Sequence, residues 1–397
     1  MSKEPQGAGR QPGRAPPVAT TILAALLLLA PGAAGATTPA ALPRQPSAAG
    51  PLGLGAVLAP GLLPTPGLPP RPAPALGGSW APPAEAPPLA WAAAAAGARP
   101  HPSGLSWRSG ASCSDAGFAA WRGRAMDVHV GFVEHDTWER MFRHFRGGYF
   151  RAFVRRTPQV VVSMPMMPRS ARRQLAACGG GQFDATFRQF GALLVEAGAE
   201  GAIIRLGWEA NIGSRSHPWG IDGTGDVADY KRCFQREAAA LRSAAPGVTI
   251  EWTNAKRGAL PISVLETYPG DAAVDLVGVH YYNNRPKIVT ERDWAARYAA
   301  THNGGPWGLG GWLAAAKARG KRLAVGEWGQ WTRGGESFAQ ADQPVYVDAM
   351  HRFFRANAGD IAYENYFNCR DQHRIYPTTG LPRSSDRYRQ LWSSGRP

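Results

Sequence analysis

The sequence predicts an α/β protein whose main domain is a (β/α)8 TIM barrel, preceded by a signal peptide and a Pro/Ala-rich linker. Two observations carry that reading. Short apolar runs alternate with segments of helical periodicity from about Gly104 onward, which argues for a parallel sheet. Eight such runs in that one stretch argue for a closed barrel instead of an open sheet. A doubly wound sheet is the rival, but no Gly-rich phosphate turn follows an early strand, and Gly179-Gly180-Gly181 lacks the spacing for one.

The predicted strands, in order, are Leu105–Arg108, Met126–Val133, Gln159–Met164, Ala202–Leu206, Val248–Thr253, Val274–His280, Arg322–Gly326 and Ile361–Phe367. Helical patterns fall over Phe183–Ala197, Tyr230–Ser243, Gly311–Arg319 and Val345–Asn357. Four cysteines are present, and four allow three pairings. Barrel adjacency favours Cys113–Cys369, because strands one and eight meet where the barrel closes, and Cys178–Cys233, which lie in units three and four. No CxxC or Cys/His cluster has metal spacing, so no metal is expected, and the two-carboxylate chemistry considered below needs no other cofactor.

Ahead of this domain, Lys3, Arg10 and Arg14 precede the apolar stretch Val18 to Ala30, followed by Ala34-Gly35-Ala36. A basic region, a short apolar core and a small-x-small site describe a secretory signal peptide over residues 1–36. The apolar core is short for a bilayer, so membrane attachment is expected only if that segment stays uncleaved. Residues 37–103 are dominated by Pro, Ala, Gly and Leu with almost no charge, which suits a disordered linker. The catalytic-size domain then occupies 104–397.

Charge excludes less than it suggests. The net charge of +15 would fit an anionic partner, yet the basic residues are overwhelmingly Arg, in a chain rich in Ala, Gly and Pro. No dense Lys/Arg run occurs, and no nucleic-acid partner is expected. Fourteen tryptophans with only 18% charged residues suit an enzyme with an aromatic-lined cleft better than a disordered or fibrous protein, and a monomer is expected.

In such a barrel the active site lies at the C-terminal ends of the strands. Strand four ends Arg205-Leu206-Gly207-Trp208-Glu209-Ala210-Asn211, and strand seven ends Val325-Gly326-Glu327-Trp328-Gly329. Each apolar strand stops at a glutamate beside a tryptophan. Retaining glycosidases need two carboxylates, one attacking the anomeric carbon and one handling the proton, roughly 5–5.5 Å apart. Apolar contact from Trp208 is expected to favour protonated Glu209 by desolvation, while Arg205 and the tyrosines after strand six donate to Glu327. A single glutamate after a strand is most often a solvated loop residue; the pair is what makes Glu209 and Glu327 the catalytic candidates.

Other residues are open to two readings. Trp328, Trp331, Trp307 and Tyr366 either stack on sugar or pack the rim. Asn211 and Asn254 either bond sugar hydroxyls or satisfy turns. Arg122 or Arg124 lies near the cleft or, more simply, on the surface. Glu134, Asp136, Glu364 and Asp371 are spare carboxylates.

The strand-four and strand-seven segments, with Pro218-Trp219-Gly220 and Val274-Asp275-Leu276-Val277-Gly278-Val279-His280-Tyr281-Tyr282, resemble glycoside hydrolase family 26, the β-mannanases and related β-glucanases and xylanases. The resemblance spans about Gly104 to Trp392. It implies Glu209 as acid/base, Glu327 as nucleophile, Tyr282 as a hydrogen-bond donor to the nucleophile, and Trp219 as a sugar-stacking platform. Two departures fall in the substrate region: the family usually has His where Trp208 stands and commonly an acidic residue where His280 stands. Trp208, Asn211, Trp219, His280, Tyr282 and Trp328 are therefore the candidate substrate-binding residues. The expected function is hydrolysis of β-mannan, β-glucan or xylan type polysaccharide by a secreted or envelope-associated enzyme. A transglycosylase of envelope polysaccharide and a non-catalytic carbohydrate-binding barrel are the alternatives.

Overall fold

The computed structural model describes residues 101–393 apart from 115, 333–335 and 378. The expected signal peptide and all but the last residues of the expected linker lie outside the described residues. Ser103, at that linker's end, is packed on the domain: its N–H and hydroxyl both donate to Asp127, at 2.7 and 2.6 Å.

Eight parallel strands close into a barrel: β1 Ser109–Ser112, β2 Val128–Phe132, β3 Gln159–Met164, β4 Ile203–Leu206, β5 Thr249–Ala255, β6 Leu276–Asn283, β7 Arg322–Gln330 and β8 Ile361–Phe367. Each pairs with its neighbour in sequence, and β8 closes on β1 from Ser109↔Glu364 to Ser112↔Phe367. Seven strands overlap their predicted runs. Strand one does not: Leu105–Arg108 is no strand, and Ser-Gly-Ala-Ser takes its place. Small residues are what closure demands there, because a Cβ on Gly110 would come within 2.2 Å of the Val128 carbonyl oxygen. That requirement leaves no apolar signal in the sequence.

Helices cover the outside. Asp184–Glu196, Val227–Ala244, Leu309–Lys317 and Pro344–Ala356 lie close to their predicted bounds. After β5 the crossover contains only the short 3₁₀ turn Val264–Thr267. Two disulfides pin the shell, Cys113–Cys369 between the ends of β1 and β8, and Cys178–Cys233 between helices, as barrel adjacency predicts. No described helix is long and apolar enough to cross a membrane.

The barrel interior is layered. Val128, Val130, Val161, Ile203, Leu276, Ala324 and Ala362 fill its lower part with branched and small apolar side chains. Above them the inward residues turn polar. Arg205 and Glu251 are fully buried and lie opposite one another on β4 and β5. Tyr363 donates to Glu251 Oε2 at 2.7 Å. This polar layer is the floor of the site.

Candidate active site

Glu209 is held by the turn that ends β4. Gly207 and Glu209 both have left-handed backbone conformations, with φ 55° and 53°. At Gly207 a side chain is excluded twice over, since a Cβ would meet Met166 Sδ at 2.3 Å. The turn is pinned to both neighbouring strands: Gly207 N–H donates to Met164 O and Glu209 N–H to Thr253 O, each at 2.9 Å. A non-glycine residue at positive φ needs such support from its surroundings.

Glu327 is held differently. Gly278 pairs with Ala324 but His280 pairs with Glu327, so β7 carries an extra residue against β6; a matching shift occurs against β8. Such a bulge re-aims side chains. Gly326 and Glu327 therefore both face inward, and a Cβ on Gly326 would crowd Tyr363 and Arg205, at 3.1 and 3.3 Å. Strict alternation would have sent Trp328 inward and Glu327 into the helical layer.

Both Glu327 oxygens accept hydrogen bonds, Oε1 from Arg205 Nη2 and Oε2 from the Tyr282 hydroxyl, each at 2.6 Å. Arg205 is completely buried, so this charge-assisted bond is shielded from water. Lys256 braces Tyr282 from behind by donating its ammonium to the Tyr282 carbonyl oxygen, and burial brings that amine down to about 7. The expectation for Arg205 and Tyr282 matches this geometry.

Glu209 meets histidines instead. His280 Nδ1 lies 2.8 Å from Glu209 Oε1, and His217 Nε2 lies 3.4 Å from Oε2. The same His280 ring presents Nε2 to Glu327 Oε1 at 3.4 Å, and Arg205 Nη2 also abuts Nε2. One imidazole thus spans the two carboxylates. Burial pushes the Glu209 carboxyl up, but the His280 charge, the hydrogen bonds from His217 and His280, and the His217 charge outweigh it. The net direction is well below the usual carboxylate range, which corrects the expectation that Trp208 would keep Glu209 protonated.

Several expected sugar contacts are structural. Trp219 is fully buried beneath His217, stacked at 5.0 Å and 10°, and its indole N–H donates to Trp208 O. It orients His217 and cannot stack on a sugar there. Trp328 is also fully buried; its ring lies on Trp392 and its N–H donates to Glu364 Oε2 at 2.6 Å. The bulge explains this placement. Asn211 uses its amide on the Ala255 backbone, accepting at 3.0 Å and donating to the carbonyl at 2.8 Å. Trp208 is 6% exposed, its ring in T-shaped contact with Phe132, His217 and Trp219. His280 is 1% exposed and reaches the carboxylates rather than open solvent. Arg122 is buried against Ser109 Oγ, neither near the cleft nor on the surface. Glu364 receives three indole N–H groups outside the barrel, and Tyr366 is buried, donating to His373 O.

The residues that sequence reasoning missed are His217, Phe132 and Phe367. Phe132 ends β2 and Phe367 ends β8; they meet at 6.2 Å, and both are partly exposed. Phe132 lies under the Arg205 guanidinium, and Phe367 lies edge-on to Tyr282. Trp331, also partly exposed, stands perpendicular to Tyr282 at 5.1 Å. An aromatic at the last position of a barrel strand was an available signal for the two phenylalanines. His217 had none, because only the folded loop returns it to Glu209.

No protein-family model matches this sequence, and no curated protein matches it. Solved structures do match in fold. GH26C from a Muricauda species superposes with a TM-score of 0.55 at 15% identity, covering 74% of this chain and 86% of that one. A modular endo-β-1,4-mannanase of Cellulomonas fimi, described among glycoside hydrolase family 26 mannanases, gives 0.52 at 15% identity, covering 72% and 70%. At that identity the likeness establishes the barrel fold: the chain has the (β/α)8 architecture seen in family 26 glycoside hydrolases.

Proposed function

We propose that this protein is an exported retaining glycoside hydrolase acting on a β-linked polysaccharide of the mannan, glucan or xylan type. The observation that carries the reading is the meeting of Glu209 and Glu327 around one imidazole at the C-terminal end of the barrel. The shared fold with family 26 mannanases supports it. Two structural disulfides fit an oxidising compartment and so support export.

Glu327 suits the nucleophile. It sits in a strand, with both oxygens fixed as acceptors by Arg205 and Tyr282, so no reorganisation precedes attack on the anomeric carbon. Glu209 suits acid/base duty. It lies in a turn with its side chain 19% exposed, where a glycosidic oxygen or a water can reach it. In the first step Glu327 bonds to the anomeric carbon as the glycosidic bond breaks and the leaving oxygen takes a proton. In the second, water gives a proton to Glu209 and displaces Glu327. Phe132, Phe367 and Trp331 supply apolar faces for the pyranose rings.

The test is a reducing-end assay over β-mannan, β-glucan and xylan, with NMR of the first-formed anomer. Net retention on one of these is expected. Inversion would transfer the second carboxylate's role to a water, and inactivity on all three with tight binding would favour a carbohydrate-binding barrel.

A further inference from the structure

The two sides of the barrel mouth differ in chemistry. In the closed strand order β1 lies between β8 and β2, whose last residues are Phe367 and Phe132, and β5 lies across the barrel from them. The chain leaving β5 is fastened to the turn that carries Glu209. Asn211 holds Ala255 through its amide, and Ala259 N–H donates to Asn211 O at 2.9 Å. A short antiparallel hairpin in the β6–β7 crossover, Thr301–His302 with Gly305–Pro306, docks on that loop, the Asn303 amide donating to Leu260 O at 2.6 Å. Between loop and hairpin is a cleft lined by Asn211, Lys256, Arg257, Leu260 and His302, about 260 Å³ with its open mouth included. That room suits a charged substituent better than a whole sugar ring.

Cations border this cleft without matching acids. The Arg257 and Arg297 guanidiniums both lie over the Trp307 ring, 5.2 and 4.0 Å from its centre, and among the described residues neither forms an ion pair. Arg297 Nη1 is buried without a protein acceptor. The acids close by in the chain are engaged. Asp293 Oδ2 accepts from the Val289 and Thr290 N–H groups and the Thr290 hydroxyl, Glu266 caps Ser263, and Glu336 pairs with Lys287. Lys256, 6% exposed, adds a third positive group, its ammonium meeting the Tyr282 carbonyl oxygen and the Tyr281 ring. The Arg297 and Lys287 charges join burial in lowering that amine. Cation–π contact holds the two guanidiniums in place but supplies no counter-charge. Like charges gathered at a partly desolvated site repel, and an anion received there relieves the repulsion.

Resting on the glycosidase reading above, we propose that this cleft is a subsite for an anionic group on the glycan, a uronate carboxylate or a sulfate ester. Arg257 is its direct partner, and Arg297 and Lys256 are supporting charges. A guanidinium fork matches the paired oxygens of either group. A glycan whose rings lie on Phe132 and Phe367, and whose scissile bond reaches Glu209 and Glu327, runs on across the barrel mouth toward β5. There the next sugar brings its substituent to Arg257. The substrate is then an acidic β-glycan, its ring faces held on one side and its charge read on the other. The net charge of +15 favours approach of such a polymer. The subsite only binds; the bonds made and broken are those of hydrolysis.

The experiment measures, by calorimetry, how matched neutral, uronate-bearing and sulfated β-oligosaccharides bind Glu327→Gln, in which turnover does not interfere. An anionic form should bind roughly tenfold or more tighter than the neutral one, the scale of one charge-assisted hydrogen bond. Which form gains distinguishes carboxylate from sulfate. Added salt should shrink the gain. Arg257→Gln in the same background should erase it, and Arg257→Lys, which keeps a charge but not the fork, should retain part of it. Equal affinity for all three ligands, or a preference untouched in Arg257→Gln, would overturn the proposal. Should Arg257→Gln not fold, NMR of the wild-type arginine Nε–H groups decides, titrated with sulfate and glucuronate against chloride at equal ionic strength. A saturating Arg257 shift with either oxyanion supports the subsite, and no shift overturns it. Failure of the glycosidase reading looks different: wild type would cleave none of the three oligosaccharides, and the binding comparison would still decide the anionic subsite.

Discussion

Glu209 and Glu327 look alike in sequence, each closing an apolar strand next to a tryptophan, and the fold treats them as opposites. Glu327 lies within a strand, its side chain 8% exposed, gripped by a guanidinium and a phenol. Glu209 lies in a left-handed turn, its side chain 19% exposed, between two imidazoles. A guanidinium and a phenol surround the first; two imidazoles surround the second. The contrast separates a group prepared to lend electrons from one prepared to move a proton.

The largest effect expected from breaking that contrast is at Glu327. Glu327→Gln should lower turnover by roughly 10⁴-fold or more on glycan and dinitrophenyl glycoside alike, since no other carboxylate described here replaces the attacking oxygen. Steady-state rates on both substrates check it, and survival of either would sink the nucleophile assignment.

Glu209→Gln should cost roughly 10²–10⁴-fold on glycan, the usual span for general acid–base catalysis. Bond formation to Glu327 should survive with the dinitrophenyl substrate, leaving an intermediate that denaturing mass spectrometry detects on Glu327. Its absence would argue against the division of roles.

Smaller still is Tyr282→Phe, which removes one hydrogen bond to a charged group. About 1.5–3 kcal/mol is at stake, or roughly 10- to 150-fold in kcat. Trp219→Phe sharpens the other side: it leaves Glu327 untouched but removes the N–H to Trp208 O and loosens His217, so pre-steady-state rates should fall mainly in the proton-dependent step.

The smallest prediction concerns stability, away from the site. Glu237 is fully buried beside the Cys178–Cys233 disulfide; burial, and then the Asp184 charge, push its carboxyl well above the usual range. The native state therefore keeps a proton that the unfolded chain releases, so stability is full below about pH 4 and declines as pH rises toward the native value. Glu237→Gln should raise Tm at pH 7 and change it little at pH 4. Equal shifts at both pH values would contradict a neutral buried acid.

Much of this was legible early because barrel strands are short apolar runs of even spacing. Seven of the eight could be read that way, as could the ends of β4 and β7, and adjacency then led to both disulfides. Arg205 and Tyr282 were legible as donors because both lie near strand ends on the site side. Strand one was not, since closure there selects small residues for their lack of volume. Trp219 and Trp328 read as sugar platforms and proved internal, because a tryptophan's sequence neighbours do not reveal which layer it enters. A one-residue bulge decides that for Trp328, and a return loop decides it for Trp219.

The amino-acid sequence by itself determined the repeating strand–helix plan, the covalent closures and the pairing of two glutamates at equivalent strand ends, since period, spacing and residue type are local. Tertiary structure alone decided that a histidine of β6 stands between those glutamates and that the loop after β4 folds a second one back onto Glu209. It also decided that Glu209's proton affinity is set by imidazoles instead of by tryptophan. Those outcomes depend on register, bulges and burial, which arise only when strands far apart in the chain are brought side by side.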